Sequence, residues 1–260
     1  MNIALIGRGR LATNLQQALL AAGHDVASVN SRTLEGLPQE ADVYIFAVKD
    51  SALKDVIASV TAAVYVGSDK PLFVHTAGSM PLSLFEGCTS RYGVFYPMQT
   101  FSLERIVDFT EIPVFLEASD DASMAVLRTL ADSITHRVYE LSSADRQYLH
   151  LAAVFACNFT NHCYALAADI LEKHGLPFDV MLPLIDETAR KVHHLHPREA
   201  QTGPAVRYDE NVIRHHAELL ADEPQMKDLY EQMSHDIHHF TCLGKNAADT
   251  FPDHNSKNND

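Results

Sequence analysis

Apolar positions along this chain come in two alternating textures, short unbroken runs and longer stretches with one apolar face. Asn2–Ile6 is an unbroken run, after which Leu11, Leu15, Ala18, Leu19 and Ala22 recur at helical spacing up to Gly23. The pattern predicts a buried strand, a helix and, from Val26 to Val29, a second strand. Further runs at 43–48, 72–75, 92–95, 113–117 and 137–141 predict strands, with helices at 52–60 and 122–133 and a short helix opened by Pro81. Strands alternating with helices imply an α/β domain around a mostly parallel, doubly wound sheet.

From Ser142 the pattern changes. Ser142-Ser143-Ala144-Asp145 is a helix start, and apolar residues then keep helical spacing to Lys173, where Gly175 and Pro177 end the helix. Helices are also predicted at 178–195, 210–221 and 225–243, so the division is an α/β domain over 1–142 and an all-helical domain over 143–260. The first long helix is apolar around much of its circumference. A single layer of helices would not cover it, so a homodimer through these helices is expected.

Composition narrows the function classes. The chain has 260 residues, 47% of them hydrophobic, and a formal charge of −14. That size supports two cores, and that charge disfavours nucleic acid and anionic membranes as partners. The four cysteines, at 88, 157, 163 and 242, form no C-x-x-C pair, no apolar stretch reaches membrane-spanning length and no signal-peptide pattern opens the chain. A cytoplasmic protein with reduced thiols is expected. Residues 247–260 lose periodicity and read as a frayed tail.

The first strand ends in Gly7-Arg8-Gly9-Arg10-Leu11-Ala12, a Gly-x-Gly-x-x-Ala turn opening a helix. In a strand–turn–helix–strand unit this is a dinucleotide-binding fingerprint. The first glycine makes the turn, the second lets a pyrophosphate approach, and the helix N-terminus favours negative charge. An NAD-selective fold usually has a carboxylate at the end of the second strand, whereas this chain has Asn30-Ser31-Arg32. A guanidinium and a hydroxyl suit a 2′-phosphate, so NADP is favoured over NAD, unless Arg32 is only a solvated loop residue. Arg8 and Arg10, with Val48 and Thr76 at the ends of the third and fourth strands, complete the expected cofactor set.

Several motifs together carry a family resemblance: Gly7-x-Gly9-Arg10-x-Ala12, His75-Thr76-Ala77-Gly78, Tyr96-Pro97-Met98-Gln99-Thr100-Phe101, the Asn158 helix and Thr202-Gly203-Pro204-x-x-Arg207. Over nearly its whole length the chain resembles a family of uncharacterised bacterial Rossmann-like proteins with a helical C-terminal domain. More distantly it is similar to pyrroline-5-carboxylate reductase, ketopantoate reductase and the β-hydroxyacid dehydrogenases, with a C-terminal domain like that of 6-phosphogluconate dehydrogenase. The resemblance implies a nicotinamide cofactor, a helical dimer and a substrate held between the domains.

In open α/β sheets ligands bind beyond the carboxyl ends of the strands. The turns after the fourth and fifth strands therefore supply the substrate candidates Gly78, Ser79, Tyr96, Pro97, Gln99 and Thr100, with His75 as a catalytic candidate or a structural histidine. Arg146, His150, Val154 and Asn158 follow at intervals of four on the first C-terminal helix. The β-hydroxyacid dehydrogenases place a catalytic lysine four residues before an asparagine here; with Asn158 as that asparagine, the lysine's place holds Val154. His150, one turn earlier, is the acid–base candidate in its stead. Arg207 could hold a substrate carboxylate or pair with Asp209, which could itself cap the next helix. Family members commonly have glycine where Tyr208 stands, a departure that would narrow the pocket. Among 15 histidines, His235 and His239 have zinc-ligand spacing but no accompanying glutamate or cysteine pair, so no metal is expected. These readings converge on an NADP-dependent reductase of a small carboxylated imine or a keto/hydroxy acid. The alternative is a non-catalytic NADP-binding sensor or scaffold, which Val154 would permit.

Overall fold

The apolar runs become strands because both their faces are covered. In the computed structural model, which describes residues 1–64 and 71–247, β1 (Asn2–Ile6), β2 (Asp25–Val29), β3 (Val43–Phe46) and β4 (Leu72–His75) lie parallel, with every residue of β3 and β4 buried. Such two-sided burial selects continuous runs such as Val43-Tyr44-Ile45-Phe46 over alternating ones. β5 (Tyr92–Pro97) extends the parallel set, β6 (Val114–Ala118) runs antiparallel to it, and β7 (Val138–Glu140) is parallel to β6. The sheet order is β2-β1-β3-β4-β5-β6-β7. Residues 98–113 contain no helix, so the chain has no crossover with which to return for a parallel pairing, and β6 turns back on β5.

Alternation sorts the side chains into two layers. Ile3, Leu5, Val43, Ile45, Val74 and Leu116 face α1 (Arg10–Ala21) and α3 (Asp121–Asp132), burying Leu15, Leu19, Leu127 and Leu130. Ala4, Ile6, Tyr44, Phe46 and Phe73 face α2 (Asp50–Ala63) and a single 3-10 turn (Leu82–Phe85), with Leu53, Ile57, Val60 and Phe85 fully buried. Each large apolar side chain removed from water here contributes roughly 1.5–3 kcal/mol. Asn14 breaks the apolar face of α1. Fully buried, it donates to the carbonyls of Arg10 (2.9 Å) and Ser102 (2.8 Å) and accepts from the Val107 N–H (2.9 Å).

The long helix expected over 142–173 starts where the sequence placed it. The Ser142 hydroxyl accepts from the Asp145 N–H at 3.1 Å, and the Asp145 carboxylate accepts from that hydroxyl at 2.7 Å. It then divides into α4 (Ser143–Ala153), a π-helical segment (Val154–Phe159) and α5 (Thr160–Lys173). The Thr160 hydroxyl donates to the Phe155 carbonyl five residues earlier (3.1 Å), matching the wider coil.

The chain forms two compact units, divided between Asn161 and His162, so α4 and the π segment group with the sheet. The second unit is helical. A 3-10 turn (Phe178–Met181) leads into α6 (Leu182–Lys191), and two four-residue helices follow, α7 (Pro197–Ala200) and α8 (Pro204–Arg207). Its remaining helices are α9 (Glu210–Leu219) and α10 (Pro224–Ala247). The helix expected over 178–195 is thus shorter, and the two four-residue helices were not anticipated. Among the described residues no helix is long and apolar enough to cross a membrane. The expected frayed tail lies, from residue 248, outside the described residues.

Candidate active site

Gly7 sits where β1 hands the chain to α1, at a point where a side chain has no room. Its φ is +130°, and a Cβ there would lie 2.2 Å from the Ala47 carbonyl oxygen. The carboxyl ends of β1 and β3 are therefore pressed together at the point where strand order reverses, the usual binding crevice of such sheets. Gly9 is the N-cap of α1 with no side-chain cap, and a Cβ at Gly9 would meet nothing within 4 Å, so an approaching phosphate has space. Leu11 and the buried Ala12 follow in the first helical turn, whose N–H groups have no carbonyl a turn earlier to bind. Arg8, Arg10 and Arg32 are exposed, and no ion pair engages any of them among the described residues. The Asn30 side chain accepts from the Arg32 N–H at 2.9 Å, and its carbonyl accepts from the Leu34 N–H at 2.9 Å, folding the half-buried Ser31 and the exposed Arg32 into a tight turn. These residues fit a nucleotide phosphate chemically. Val48, half-buried, packs into the core beside α2. Thr76 is buried, its hydroxyl donating to the Phe46 carbonyl at 3.3 Å, so its side chain fastens strands together and is not free for a cofactor.

A cavity of about 570 Å³ opens beyond the carboxyl end of β5. Tyr96, Met98, Gln99, Thr100 and Phe101 form one wall, and Leu149, His150, Val154, Cys157 and Asn158 are among the residues of the other. Residues that the sequence placed 50 or more positions apart thus meet: Tyr96, Gln99 and Thr100 with His150, Val154 and Asn158. The π segment contributes Val154, Ala156, Cys157 and Asn158 to this wall. Among the described residues no Lys, Arg, Asp or Glu lines it.

Tyr96 and His150 are bonded to each other, phenol oxygen to Nδ1 at 3.2 Å, with their rings edge to face. Burial pushes the Tyr96 phenol up from its ordinary value, and the nearby Arg146 charge opposes that. Gly78 is buried directly against this pair. A Cβ there would stand 2.7 Å from His150 Nδ1 and 2.8 Å from Tyr96 Cζ, so Gly78 supplies space for the pair rather than exposed N–H groups for a substrate. The Ser79 hydroxyl donates to the Asp50 carboxylate, and Pro97 is buried at the end of β5 outside the cavity lining.

His75 lies apart from the cavity, in keeping with the second, structural one of its two sequence readings. It is fully buried, stacked on Phe85 at 5.7 Å, and absent from the cavity wall. Its Nδ1 accepts from the Ala77 N–H (3.2 Å) while Nε2 faces the Pro81 carbonyl (3.4 Å), which fixes a neutral ring. Burial first, and the Arg146 charge second, push its pKa down to about 4.

Arg146 does not join His150 in the cavity either. It is 1% exposed and pairs with Glu117 of β6 at 2.5 Å, while donating to the Met80 carbonyl (2.7 Å) and the Ser143 hydroxyl (3.1 Å). Burial raises the Glu117 carboxyl, but the Ser143 hydroxyl and N–H and the guanidinium outweigh it and hold the group below its ordinary value. This cluster clamps α4 onto the sheet and so sets where His150 stands. Sequence reasoning missed Glu117 and Asn14, since each meets partners remote in the chain, 29 and 93 positions away at the longest.

Arg207 belongs to the second unit and is exposed. Asp209 caps α9, accepting from the Val212 N–H at 3.4 Å. Tyr208, at φ +50° and ψ 54°, ends α8 in the left-handed region, which is why glycine suits that position. Its ring rests 4.6 Å from His238. Among the described residues no group of three His, Cys, Asp or Glu is arranged to hold a metal.

Residues 112–237 match the family model "Domain of unknown function (DUF2520)". The chain is similar, at 49% identity over 91% of its length and 97% of the other chain with a TM-score of 0.86, to a crystal structure of a "putative NADP oxidoreductase" from Bacteroides fragilis. It shares its fold with an imine reductase from Myxococcus stipitatus in complex with NADP+ (14% identity, 96% and 94% of the two chains, TM-score 0.62). It also shares it with a pyrroline carboxylate reductase from Plasmodium falciparum with NADP bound (13% identity, 92% and 98%, TM-score 0.57). No curated protein matches the chain.

Proposed function

Because the chain belongs to the DUF2520 family of Rossmann-type proteins and is 49% identical to the Bacteroides fragilis protein, we propose that it is an NADP(H)-dependent reductase of a small carboxylated imine or keto/hydroxy acid. One observation carries the reading. Asn14 binds the helix that opens at the glycine turn to the carbonyl of Ser102, in the loop that continues from the cavity wall at Phe101. The anion-suited turn is thereby tied to the loop beside the cavity, and hydride transfer between a bound nicotinamide and a substrate needs the two to be neighbours.

The nicotinamide cofactor, when bound, supplies the hydride. Gly7, Gly9 and the first turn of α1 hold its pyrophosphate, and Asn30, Ser31 and Arg32 hold a 2′-phosphate. The substrate's polar atoms meet the Tyr96 and Thr100 hydroxyls, the Gln99 and Asn158 amides and the His150 imidazole, with His150 as the acid–base group in place of the lysine that Val154 does not provide. A substrate carboxylate would be met in this cavity by hydroxyl and amide donors, because its lining carries no formal charge. A second copy of the chain is part of the proposal, covering the exposed stripe of Tyr148, Leu151, Phe155 and Phe159. So is a reducing, cytoplasmic setting, in keeping with four unpaired cysteines.

The test is to titrate the purified protein with NADPH and then follow NADPH oxidation with a panel of cyclic imines, keto acids and aldehydes. Binding with turnover of at least one imine or keto acid is expected. Binding without turnover on any of them would favour a nucleotide sensor instead.

A further inference from the structure

We propose that the proton delivered to the reduced substrate comes from the Tyr96 phenol, and that His150 stands behind it as the relay that refills the phenol from solvent. This rests on the reductase reading above and divides its acid–base work between two residues. Both line the cavity and are joined at 3.2 Å. His150 Nδ1 is thereby occupied, and Nε2 is the nitrogen left to exchange protons with water. A phenol carries one proton and two lone pairs, so Tyr96 can keep its bond to His150 and donate to a substrate at once. Tyr96 stands on a strand and is 8% exposed, whereas His150 is half-buried on a helix. The buried group is the better placed to act inside the cavity, and the half-buried one to reach water.

The surroundings favour the same division. The charged group that acts on the phenol is Arg146 of α4, itself paired with Glu117 of β6, and His75 of β4, which feels the same guanidinium, is held neutral by its hydrogen bonds. Arg146 lowers the phenol's affinity for its proton against the effect of burial. A phenolate formed during the reaction would be stabilised by the same cation.

The step balances as follows. The substrate carbon accepts a hydride from the reduced nicotinamide, the C=N or C=O π pair becomes a lone pair on the heteroatom, and that pair takes the Tyr96 proton. The phenolate then takes the Nδ1 proton of the neutral His150 imidazole while Nε2 takes one from solvent, and the Nδ1–H tautomer is restored by exchange with water after the product leaves. The substrate is reduced by two electrons and the nicotinamide oxidised by two.

Two variants, Tyr96→Phe and His150→Gln, test this beside the parent protein, each first checked for an unchanged thermal melt. Without cofactor, the Tyr96 phenol is titrated by ultraviolet difference against Tyr96→Phe. His150→Gln is expected to shift that titration, and an unmoved titration overturns the pairing. With NADPH and a turned-over substrate, Tyr96→Phe is expected to lower kcat about 10²–10⁴-fold with NADPH affinity unchanged. His150→Gln is expected to lower it by about tenfold and to remove one limb of the pH profile. The proposal fails if Tyr96→Phe keeps kcat within threefold while His150→Gln abolishes turnover. A shifted phenol titration with no turnover of any substrate defeats the reductase reading itself, whereas turnover with an unmoved titration defeats the pairing alone.

Discussion

The hydrogen bond between Tyr96 and His150 exists because residue 78 has no side chain: a Cβ there would lie 2.7 Å from the imidazole Nδ1 and 2.8 Å from the phenol Cζ. Both contacts are with ring atoms held by a strand and a helix, so neither can swing aside as a flexible chain end would. Gly78→Ala is therefore expected to separate the pair. Steady-state kinetics should show kcat/KM lower by about a hundredfold, as for other small misplacements of reacting groups. Denaturant melts should show a loss of about 1–3 kcal/mol from overpacking. An alanine variant with parental kcat/KM would show that the pair's spacing does not matter.

Arg146 and Glu117 give a test of stability rather than chemistry. Arg146 is almost wholly buried, so removing it leaves Glu117 facing a site built for a cation. Arg146→Met should cost about 3–5 kcal/mol in urea melts, and adding Glu117→Leu to it should return a good part of that loss. Equal stability of the single and double variants would mean that the charges act independently.

His75 predicts a pH dependence. Its imidazole binds a proton near 6.5 in the unfolded chain and at about 4 in the folded one. Between those values the unfolded state holds the extra proton, so stability falls as pH drops from about 6.5 to about 4, by up to about 3 kcal/mol. Glu117 acts at lower pH. Its folded value is depressed below 4.5, so its contribution is complete above that pH and is lost as pH falls through the folded value. His75→Gln keeps a donor and an acceptor but cannot titrate, and should flatten the stability curve between pH 6.5 and 4. A slope identical to the parent's would remove His75 as its source.

Arg32 tests cofactor choice. Arg32→Asp places a carboxylate where the 2′-phosphate would sit, and should lower the ratio of NADPH to NADH affinity by about ten- to a hundredfold in fluorescence titrations. An unchanged ratio would place phosphate recognition elsewhere.

The exposed aromatic stripe on α4 and the π segment tests assembly. Phe155 and Phe159 are 62% and 51% exposed and touch edge to face at 4.9 Å. Phe155→Glu should convert a dimer to a monomer in sedimentation velocity at micromolar concentration. A parent protein that already sediments as a monomer would end that idea.

The sheet was legible because its strands are buried on both faces, and such strands carry their own signature, as in Val43–Phe46 and Leu72–His75. The direction of β6 was not, since antiparallel return depends on what residues 98–113 fail to form, and a turn-rich loop reads alike either way. In the cavity, Tyr96, Gln99, Thr100, His150 and Asn158 could be picked out by their places at strand ends and on one helix. Glu117 could not, because a strand ending Val-Phe-Leu-Glu-Ala shows a polar position without showing that Arg146 will cross 29 residues to meet it. His75 kept two readings for the complementary reason: the end of a strand is also where a ring can be buried under the next turn, and only its neighbours Phe85 and Pro81 decide which. The π segment was illegible because residues 154–159 keep ordinary helical residues while taking a wider coil.

Asn14 fastens three stretches of backbone with one amide: the first turn of α1, Ser102 and Val107. Mechanically it is a strut. A helix loaded at its first turn by an anion cannot tilt without dragging Ser102 and Val107 along, so the load is felt in the loop beyond the cavity wall. The two halves of this site are accordingly not free to drift apart over evolutionary time: a change that reseats the helix must be answered by one that reseats the loop.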